Sequence, residues 1–293
     1  MASQEVRIPQ SNEERIDDPA GGSSYRLRVA WPFEPPPAGG YPVLYVLDAD
    51  VIFGTVVEAV RSRSRRTAST GVLPAIVAGI AHDGDRTAVR AARAFDFTPG
   101  PALDRPAPAD GDGTPAAPQT GGAPAFLRFL TGAVRAAVEG RYPVDAGRRV
   151  LMGHSLAGLF VVHALLAEPG AFSDFVAVSP SLWWNRPWLA AALDTWDARL
   201  PAESAPNVWI GVGEYEQAIA PWQSALPPAV AEKRASRTMV DSACDLAATL
   251  DHVARGRSRI QFVPIPGEDH ASVLGPALSH ALRFALAERN RVS

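Results

Sequence analysis

The chain has 293 residues, of which 47% are hydrophobic and 20% charged, and its net charge of −3 predicts no basic face for nucleic acid. A single cysteine, Cys244, excludes an internal disulfide framework and a metal site built from several thiolates. No apolar run approaches the roughly 20 residues of a membrane span, and no signal peptide is visible, so we expect a cytoplasmic protein without a membrane partner.

The predicted strands alternate with helical segments along the chain. Residues 24–31 alternate apolar and polar side chains, which is typical of an antiparallel strand at the edge of a sheet. Later strands are almost continuously apolar, as strands are when helices bury both faces: 43–48, 73–81, 149–153, 175–179, 208–213 and 260–265. This order predicts an α/β fold with a mainly parallel central sheet and helices on both faces.

One segment interrupts this pattern. Residues 99–122 are rich in Pro, Gly, Ala and Asp and offer almost nothing to bury, so they are predicted to form a flexible loop insertion near the ligand-binding edge of the sheet. We see no second core on either side, and we therefore predict a single domain over residues 1–293. Cys244 lies in a helical pattern at 239–254 and is predicted to be buried in the core.

The sequence from Gly153 to Ala157 joins a buried strand to an amphipathic helix. A serine at such a joint, with a small residue two positions before it, is forced into a strained turn that exposes its hydroxyl. Ser155 is therefore the predicted nucleophile, and the following amide, from Leu156, points at the group that the serine attacks. Ala157 stands where a second glycine is usual, and it is small enough for the turn. The alternative is that Ser155 only shapes the turn.

A serine hydroxyl needs a base, and His270 is the best placed of six histidines. It lies in a loop after the last predicted strand and before the terminal helix, which is where the histidine follows the serine and the acid in sheet enzymes with this joint. The side chain of His154 is expected to point away from the serine, and His163 lies too far along the same helix. His82 precedes the serine in the chain, and His252 and His280 lie inside helical patterns.

The third member of a triad should follow the strand at 208–213. Glu216 stands three positions past Gly213 and is preferred over Glu214; the alternative is that both are solvated loop charges. Asp269 adjoins the histidine but would have to fold back on its own neighbour. The acid is expected to hold the tautomer of His270 and to stabilise its protonated form.

The tetrahedral intermediate of acyl transfer also needs amide donors for its oxyanion. One is the amide of Leu156, and the other is expected from the loop after the strand at 43–48, at the amide of Asp50. An ordinary helix cap by Asp48 or Asp50 is an alternative that is compatible with this role.

Seven separated motifs occur in the order that is seen in one known family: YPVLYVLDAD, RAFDFTP, GGAPAFLRFL, GHSLAGLF, SPSLWW, GEYE and GEDHASV. The chain thereby resembles the "Putative esterase" branch of the α/β-hydrolase superfamily, which includes esterases of trilactone catecholate siderophores such as enterobactin and bacillibactin. The resemblance covers roughly residues 24–286. It implies an α/β-hydrolase core, catalytic Ser155 and His270, and oxyanion donors at Asp50 and Leu156. Some relatives work with a Ser–His dyad, so the role of Glu216 stays open.

The same resemblance suggests a substrate wall. Arg90 and Arg93 are candidate ligands of an anionic group, and Trp183 and Trp184 are candidates for an aromatic face. Alternatively, the arginines pair only with Asp96 and the tryptophans belong to the core. The sequence departs from the family at Ala49, where a glycine usually follows the Leu-Asp step.

We therefore predict a serine carboxylic-ester hydrolase that acts through an acyl-enzyme on a small-molecule ester, with a catecholate siderophore as one candidate. The alternatives are acyl transfer from the same acyl-enzyme to an alcohol and a non-catalytic ligand-binding relative. No cofactor and no metal are expected, because neither a metal-ligand spacing nor a phosphate loop occurs. The sequence carries no prediction of oligomeric state.

Overall fold

The computed structural model describes residues 6–103, 118–201 and 205–288. Their strands form one eight-stranded sheet and are β1 (Ser11–Asp17), β2 (Ser24–Ala30), β3 (Tyr41–Leu47), β4 (Ile76–His82), β5 (Val144–His154), β6 (Asp174–Val178), β7 (Asn207–Gly213) and β8 (Ile260–Ile265). The order across the sheet is β1-β2-β4-β3-β5-β6-β7-β8. Strands β3 to β8 pair in parallel, whereas β2 is antiparallel to both β1 and β4.

Helices follow most of the strands. They are α1 (Ala49–Ser64), α2 (Thr67–Thr70), α3 (Arg86–Asp96), α4 (Ala123–Phe129), α5 (Arg135–Glu139), α6 (Leu156–Ala167), α7 (Arg186–Asp194), α8 (Pro228–Arg237), α9 (Met239–Ala254) and α10 (Leu274–Leu286). A π-helical turn, Leu130–Val134, joins α4 to α5, and single 3₁₀ turns occur at Leu182–Trp184, Asp197–Arg199 and Pro221–Gln223. Across the described ranges, no helix combines the length and the apolar character that crossing a bilayer requires.

The sheet separates two hydrophobic cores. Along β3, Tyr45 and Leu47 pack into the core that contains α4, α6 and α9, whereas Leu44 and Val46 pack into the core that contains α1 and α10. Successive side chains of a strand point to opposite faces, so a strand covered on both faces must be apolar throughout. Each such buried side chain stabilises the fold by about 1.5–3 kcal/mol. The predicted α/β architecture with helices on both faces is confirmed.

The prediction that residues 24–31 form an edge strand is wrong. This strand, β2, is antiparallel as predicted, but β1 pairs along its outer side. The sequence of β1 is SNEERID, and it has no apolar alternation because cross-strand ion pairs replace a buried face. Glu13 lies opposite Arg28 in the register, and its carboxylate accepts a 2.5 Å hydrogen bond from that guanidinium.

The prediction of a buried Cys244 is also wrong. The helix at 239–254 forms as α9, but Cys244 lies on its exposed face. Much of the predicted loop insertion at 99–122 falls on residues 104–117, which lie outside the described residues. That loop and the single domain over residues 1–293 stay predictions.

Candidate active site

Ser155 occupies a sharp turn between β5 and α6. Its backbone has φ 60° and ψ −117°, a conformation that costs a non-glycine residue about 1–3 kcal/mol. Its amide donates a 3.0 Å hydrogen bond to the carbonyl of Val178 on the neighbouring strand, which helps to hold the turn. A Cβ atom on Gly153 would lie 2.4 Å from the carbonyl oxygen of Ala157. The turn therefore requires glycine at position 153 and accepts alanine at position 157.

The structure brings His270 to the serine. His270 lies in the turn between β8 and α10, and its Nε2 is 2.9 Å from the Oγ of Ser155. Asp269 shapes this turn instead of serving as the acid, because its Oδ1 accepts the amides of Ala271 and Ser272 at 2.9 and 3.0 Å. The arrangement leaves the outer nitrogen of the imidazole facing the hydroxyl, as proton transfer between them requires.

Glu216 lies on the other side of His270. Its Oε2 is 2.6 Å from His270 Nδ1, and its side chain is fully buried while that of His270 is 45% exposed. Its Oε1 accepts the amide of Gly213 at 2.8 Å and the hydroxyl of Ser179. Both oxygens of the buried carboxylate are thus hydrogen-bonded, as an ionised group away from water requires.

The backbone explains why the second glutamate reaches the histidine. A Cβ atom on Gly213 would lie 2.7 Å from the carbonyl oxygen of Glu268, so the end of β7 passes directly against the histidine turn. Glu214 is exposed, and its carboxylate accepts the amide of Gly267 at 2.7 Å. Of the two candidates, only Glu216 contacts the imidazole.

His154 packs beside His270. The centroids of its ring and the ring of His270 lie 4.9 Å apart. Burial, together with the nearby His270, lowers the pKa of His154 to about 4. A neutral His154 therefore adds no positive charge beside His270, the candidate base. The sequence offered no sign of this contact, because it depends on how two distant turns meet.

The two predicted amide donors lie at helix N-termini, where the first amides have no partner within the helix. Leu156 is the first residue of α6, and Asp50 is the second residue of α1. Asp48 precedes α1 with φ 55° and makes no side-chain capping hydrogen bond. A Cβ atom on Gly79 would lie 2.7 Å from the Cβ of Ala49. Glycine on β4 thus leaves room for Ala49, the alanine by which the sequence departs from the family that it resembles.

The arginines do not pair with Asp96. Arg93 instead forms a two-point ion pair with Asp48, through Nε at 2.6 Å and Nη2 at 2.7 Å. Asp96 is buried and binds the ring of His82 and the hydroxyl of Tyr25, each at 2.9 Å. Burial, together with the charge of Asp96, raises the pKa of Tyr25 well above its usual range, so this phenol remains a donor.

A cleft of about 570 Å³, which we call the Arg90 cleft, lies on one side of the candidate site. Arg90 is exposed in its wall, and Arg93 lines it although its guanidinium is held by Asp48. His154 also lines it, which connects this cleft to the neighbourhood of His270.

A second cleft of about 340 Å³, the Ser155 cleft, contains the serine itself. Trp183 and Trp184 both line it, but Trp184 is only 4% exposed and its indole donates to the carbonyl of Gly100 at 2.9 Å. Trp183 is more accessible, and the guanidinium of Arg237 stacks over its ring at 3.7 Å. Trp183 therefore offers the larger aromatic surface, and Arg237 adds a positive charge that the sequence did not single out.

The candidate catalytic residues Ser155, Glu216 and His270 thus line the Ser155 cleft, and His154 beside them lines the Arg90 cleft. Sequence reasoning missed three contacts around these residues. The hydroxyl of Ser179 donates to Glu216, Gly213 passes against the turn that carries His270, and Arg237 stacks on Trp183. The SPS motif contains Ser179 and marks the end of a buried strand, but its contact with Glu216 is not a local property of the sequence.

Comparisons with known proteins identify the family of the chain. A family model described as "Putative esterase" matches residues 20–243, which is more than half of the chain. The ferri-bacillibactin esterase BesA of Bacillus subtilis (strain 168) is 36% identical over 283 residues, covering 96% of this chain and 89% of that protein. The siderophore triacetylfusarinine C esterase of Aspergillus fumigatus is 32% identical over 294 residues, covering 94% and 93% of the two chains.

A solved structure of similar fold supports the same relationship. The crystal structure of the BES protein from Bacillus cereus superimposes with a TM-score of 0.84 at 30% identity, covering 99% of this chain and all of that one. The similarity extends over the whole sheet and its helices, so it includes every strand end that carries a residue of the candidate site.

Proposed function

The chain belongs to the "Putative esterase" family, and we propose that it is a serine esterase that hydrolyses the ester bonds of a siderophore, with catecholate trilactones as the preferred class. The observation that carries this proposal is the continuous hydrogen-bonded chain from Ser155 through His270 to Glu216, opening into clefts that carry arginines. Similar proteins named as siderophore esterases cover almost the whole chain, which supports the substrate class.

In the first half of the reaction, Ser155 Oγ bonds to the acyl carbon of the substrate while its proton passes to His270 Nε2. The buried Glu216 carboxylate accepts from Nδ1, which presents Nε2 to the serine and stabilises the imidazolium that forms. The amides of Leu156 and Asp50 stabilise the oxyanion, and the loss of one such donor typically costs about 10²–10³ in kcat. The intermediate then collapses, and the leaving alkoxide takes the proton from His270.

In the second half, water attacks the acyl-enzyme. His270 Nε2 takes a proton from that water as its oxygen bonds to the acyl carbon, and the same two amides stabilise the second oxyanion. Collapse breaks the bond to Ser155 Oγ, which regains its proton from His270. The products are a carboxylic acid and an alcohol, and the enzyme returns to its starting state.

The charge of the clefts supports a negatively charged substrate. In a ferric catecholate complex the catecholate dianions outweigh the charge of the metal, so the whole complex is an anion. Arg90 stands exposed in one cleft, and Arg237 stands against Trp183 in the other. Guanidinium groups pair well with planar oxygen ligands, and an indole face suits an aromatic ring.

We place the reaction in the cytoplasm. Cys244 is a free thiol on the protein surface, and such a thiol persists in a reducing compartment. We also assign the whole chain to one α/β-hydrolase domain, since the described strands all belong to a single sheet.

The test is an esterase assay on a small panel of substrates. The panel contains a ferric catecholate trilactone, the same trilactone without iron, a ferric hydroxamate ester and a neutral p-nitrophenyl ester. We expect the first two to give the highest kcat/KM, with stepwise release of linear products, and Ser155→Ala to abolish turnover of all four. Hydrolysis of the neutral ester alone would refute the siderophore assignment, and undiminished turnover by Ser155→Ala would refute the serine mechanism.

A further inference from the structure

Arginine side chains hold the turn from Asp48 to Asp50 from two sides. From α3, Arg93 binds both carboxylate oxygens of Asp48 at 2.6 and 2.7 Å. From β2, Arg26 Nη2 donates to Asp50 Oδ1 at 2.6 Å, and Arg28 Nη2 lies 3.2 Å from the same oxygen. This turn carries the amide of Asp50, which the proposed mechanism uses as an oxyanion donor.

Arg28 makes a second contact that bears directly on this amide. Its Nη1 donates a 3.1 Å hydrogen bond to the carbonyl oxygen of Ala49. That carbonyl and the N–H of Asp50 belong to one planar trans peptide unit, in which the two bonds point in opposite directions. A donor that holds the carbonyl therefore also sets the direction of the N–H. Because this donor is charged, it polarises the peptide and makes the N–H a stronger donor.

The side chain of Asp50 raises an electrostatic difficulty that the same arginines resolve. A carboxylate on the donor residue would repel the oxyanion that forms near its amide. The contacts with Arg26 and Arg28 draw this carboxylate towards β2 and compensate its charge. The side chain of Asp50 is 31% exposed, so without these partners it would be free to sample other positions.

The edge strand completes the support. Glu13 of β1 lies opposite Arg28 in the register and accepts from its Nε at 2.5 Å. The guanidinium of Arg28 is thus held by Glu13 on one side while it contacts Ala49 and Asp50 on the other. This arrangement gives the polar strand β1 a role in the site, although none of its residues lines either cleft.

We propose that Arg28 is a positioning residue of the oxyanion hole, which orients and polarises the peptide between Ala49 and Asp50 and compensates the Asp50 carboxylate. The proposal rests on the proposed function, since it needs that amide to face the oxyanion. Arg28 lines neither cleft, so its loss should weaken binding of the tetrahedral species and leave binding of the ground state unchanged.

The test compares Arg28→Met with Arg141→Met. Arg141 is a matched control because it also pairs with a glutamate of β1, Glu14, at 2.6 Å, and makes no contact with the turn. With a neutral p-nitrophenyl ester, we expect Arg28→Met to lower kcat about 10–100-fold, as a misplaced catalytic group does, with KM nearly unchanged. Arg141→Met should match the wild type.

Binding measurements separate positioning from a structural defect. An alkyl boronic acid forms a tetrahedral adduct on the serine, and its Kd should rise in Arg28→Met by the same factor by which kcat falls. Ground-state substrate should bind equally to Ser155→Ala and to Ser155→Ala combined with Arg28→Met. Equal weakening of both ligands, or a kcat equal to that of Arg141→Met, would overturn the proposal.

A second variant covers poor folding of Arg28→Met. Arg28→Lys keeps a cation, but a single ammonium group cannot contact Ala49, Asp50 and Glu13 together. We expect it to lose kcat about 3–10-fold with KM unchanged, and an unchanged kcat would overturn the proposal. If the wild-type protein instead hydrolyses no ester at all, the proposed function has failed, and that result is distinct from every outcome for Arg28.

Discussion

The carboxylate of Glu216 and the imidazole of His270 lie 2.6 Å apart, although the first side chain is fully buried and the second is 45% exposed. The contact thus links a carboxylate in the protein interior to a partly exposed ring, whose other nitrogen lies 2.9 Å from the Oγ of Ser155. A buried carboxylate with both oxygens hydrogen-bonded cannot easily move, so it fixes the imidazole ring of the proposed base.

Substitution of the two glutamates after β7, Glu214 and Glu216, should therefore have very different effects on kcat. We expect Glu216→Gln to lower kcat by about 10²–10⁴, because the amide can donate to Nδ1 and favour the wrong tautomer. Glu214→Gln is the matched control, since Glu214 is exposed and its carboxylate accepts the amide of Gly267. Steady-state kinetics of both variants check this. A Glu216→Gln enzyme as active as Glu214→Gln would indicate a Ser–His dyad.

The tight turn at Ser155 predicts that alanine substitutions at two glycines change the stability of the protein very differently. Gly153→Ala should lower the free energy of unfolding by about 3 kcal/mol or more, because its Cβ would overlap the carbonyl of Ala157. Gly132→Ala serves as the control, since that glycine lies in the π-helical turn between α4 and α5 with open space around it. It should gain up to about 1 kcal/mol from helix propensity. Urea denaturation measures both, and equal effects would contradict the geometry.

Buried His163 predicts how stability depends on pH. Burial lowers its pKa from 6.5 to about 4, and its ring packs against Trp188 with centroids 5.5 Å apart. Between these values the unfolded chain binds a proton that the folded protein does not, so stability falls as pH falls through this window. The loss from His163 should be about 2 kcal/mol at pH 5 relative to pH 7.5.

The variant His163→Phe removes this titration and keeps a ring in the core. It should therefore flatten the fall in stability between pH 7.5 and pH 5, while the rest of the fall persists because burial also lowers the pKa of His154 to about 4. Denaturation curves at several pH values measure the slope. An unchanged slope in His163→Phe would show that His163 is protonated equally in both states.

The charge in the Ser155 cleft predicts selectivity for anionic substrates. Arg237→Met should raise KM for a ferric catecholate ester about 3–10-fold at low salt and leave KM for a neutral ester unchanged. Lys233→Met is the control, because Lys233 lies exposed on the same helix and does not line the cleft. Equal KM values for Arg237→Met and Lys233→Met with the anionic ester would exclude this role.

Local patterns made much of this molecule predictable. The apolar runs of β3 to β7 and the helical spacing of α9 follow from burial of each element against its neighbours, so they appear in the sequence. Ser155 could be predicted as the candidate nucleophile because a strand, a small residue and a helix meet within a few positions. His270 and Glu216 followed from chain order, since the ends of successive parallel strands meet at one edge of the sheet.

The remaining features depend on contacts between distant segments. β1 forms through cross-strand ion pairs and carries no hydrophobic pattern, so its sequence resembles a loop. The partner of Arg93 was unpredictable, because Asp48 and Asp96 carry the same side chain and only the packing of α3 against the sheet selects between them. Cys244 was predicted to be buried because the apolar residues around it indicate a helix, but they do not show which face of that helix packs against the core.

The most direct test of the account is labelling of the intact protein with a fluorophosphonate, followed by peptide mapping of the adduct. The reagent needs only an activated serine and a competent oxyanion hole, so the result is independent of the substrate. We predict one adduct per chain, on Ser155, and its loss in His270→Ala. Labelling of a different serine, or no labelling of the folded wild-type protein, would contradict the assignment of Ser155 as the nucleophile.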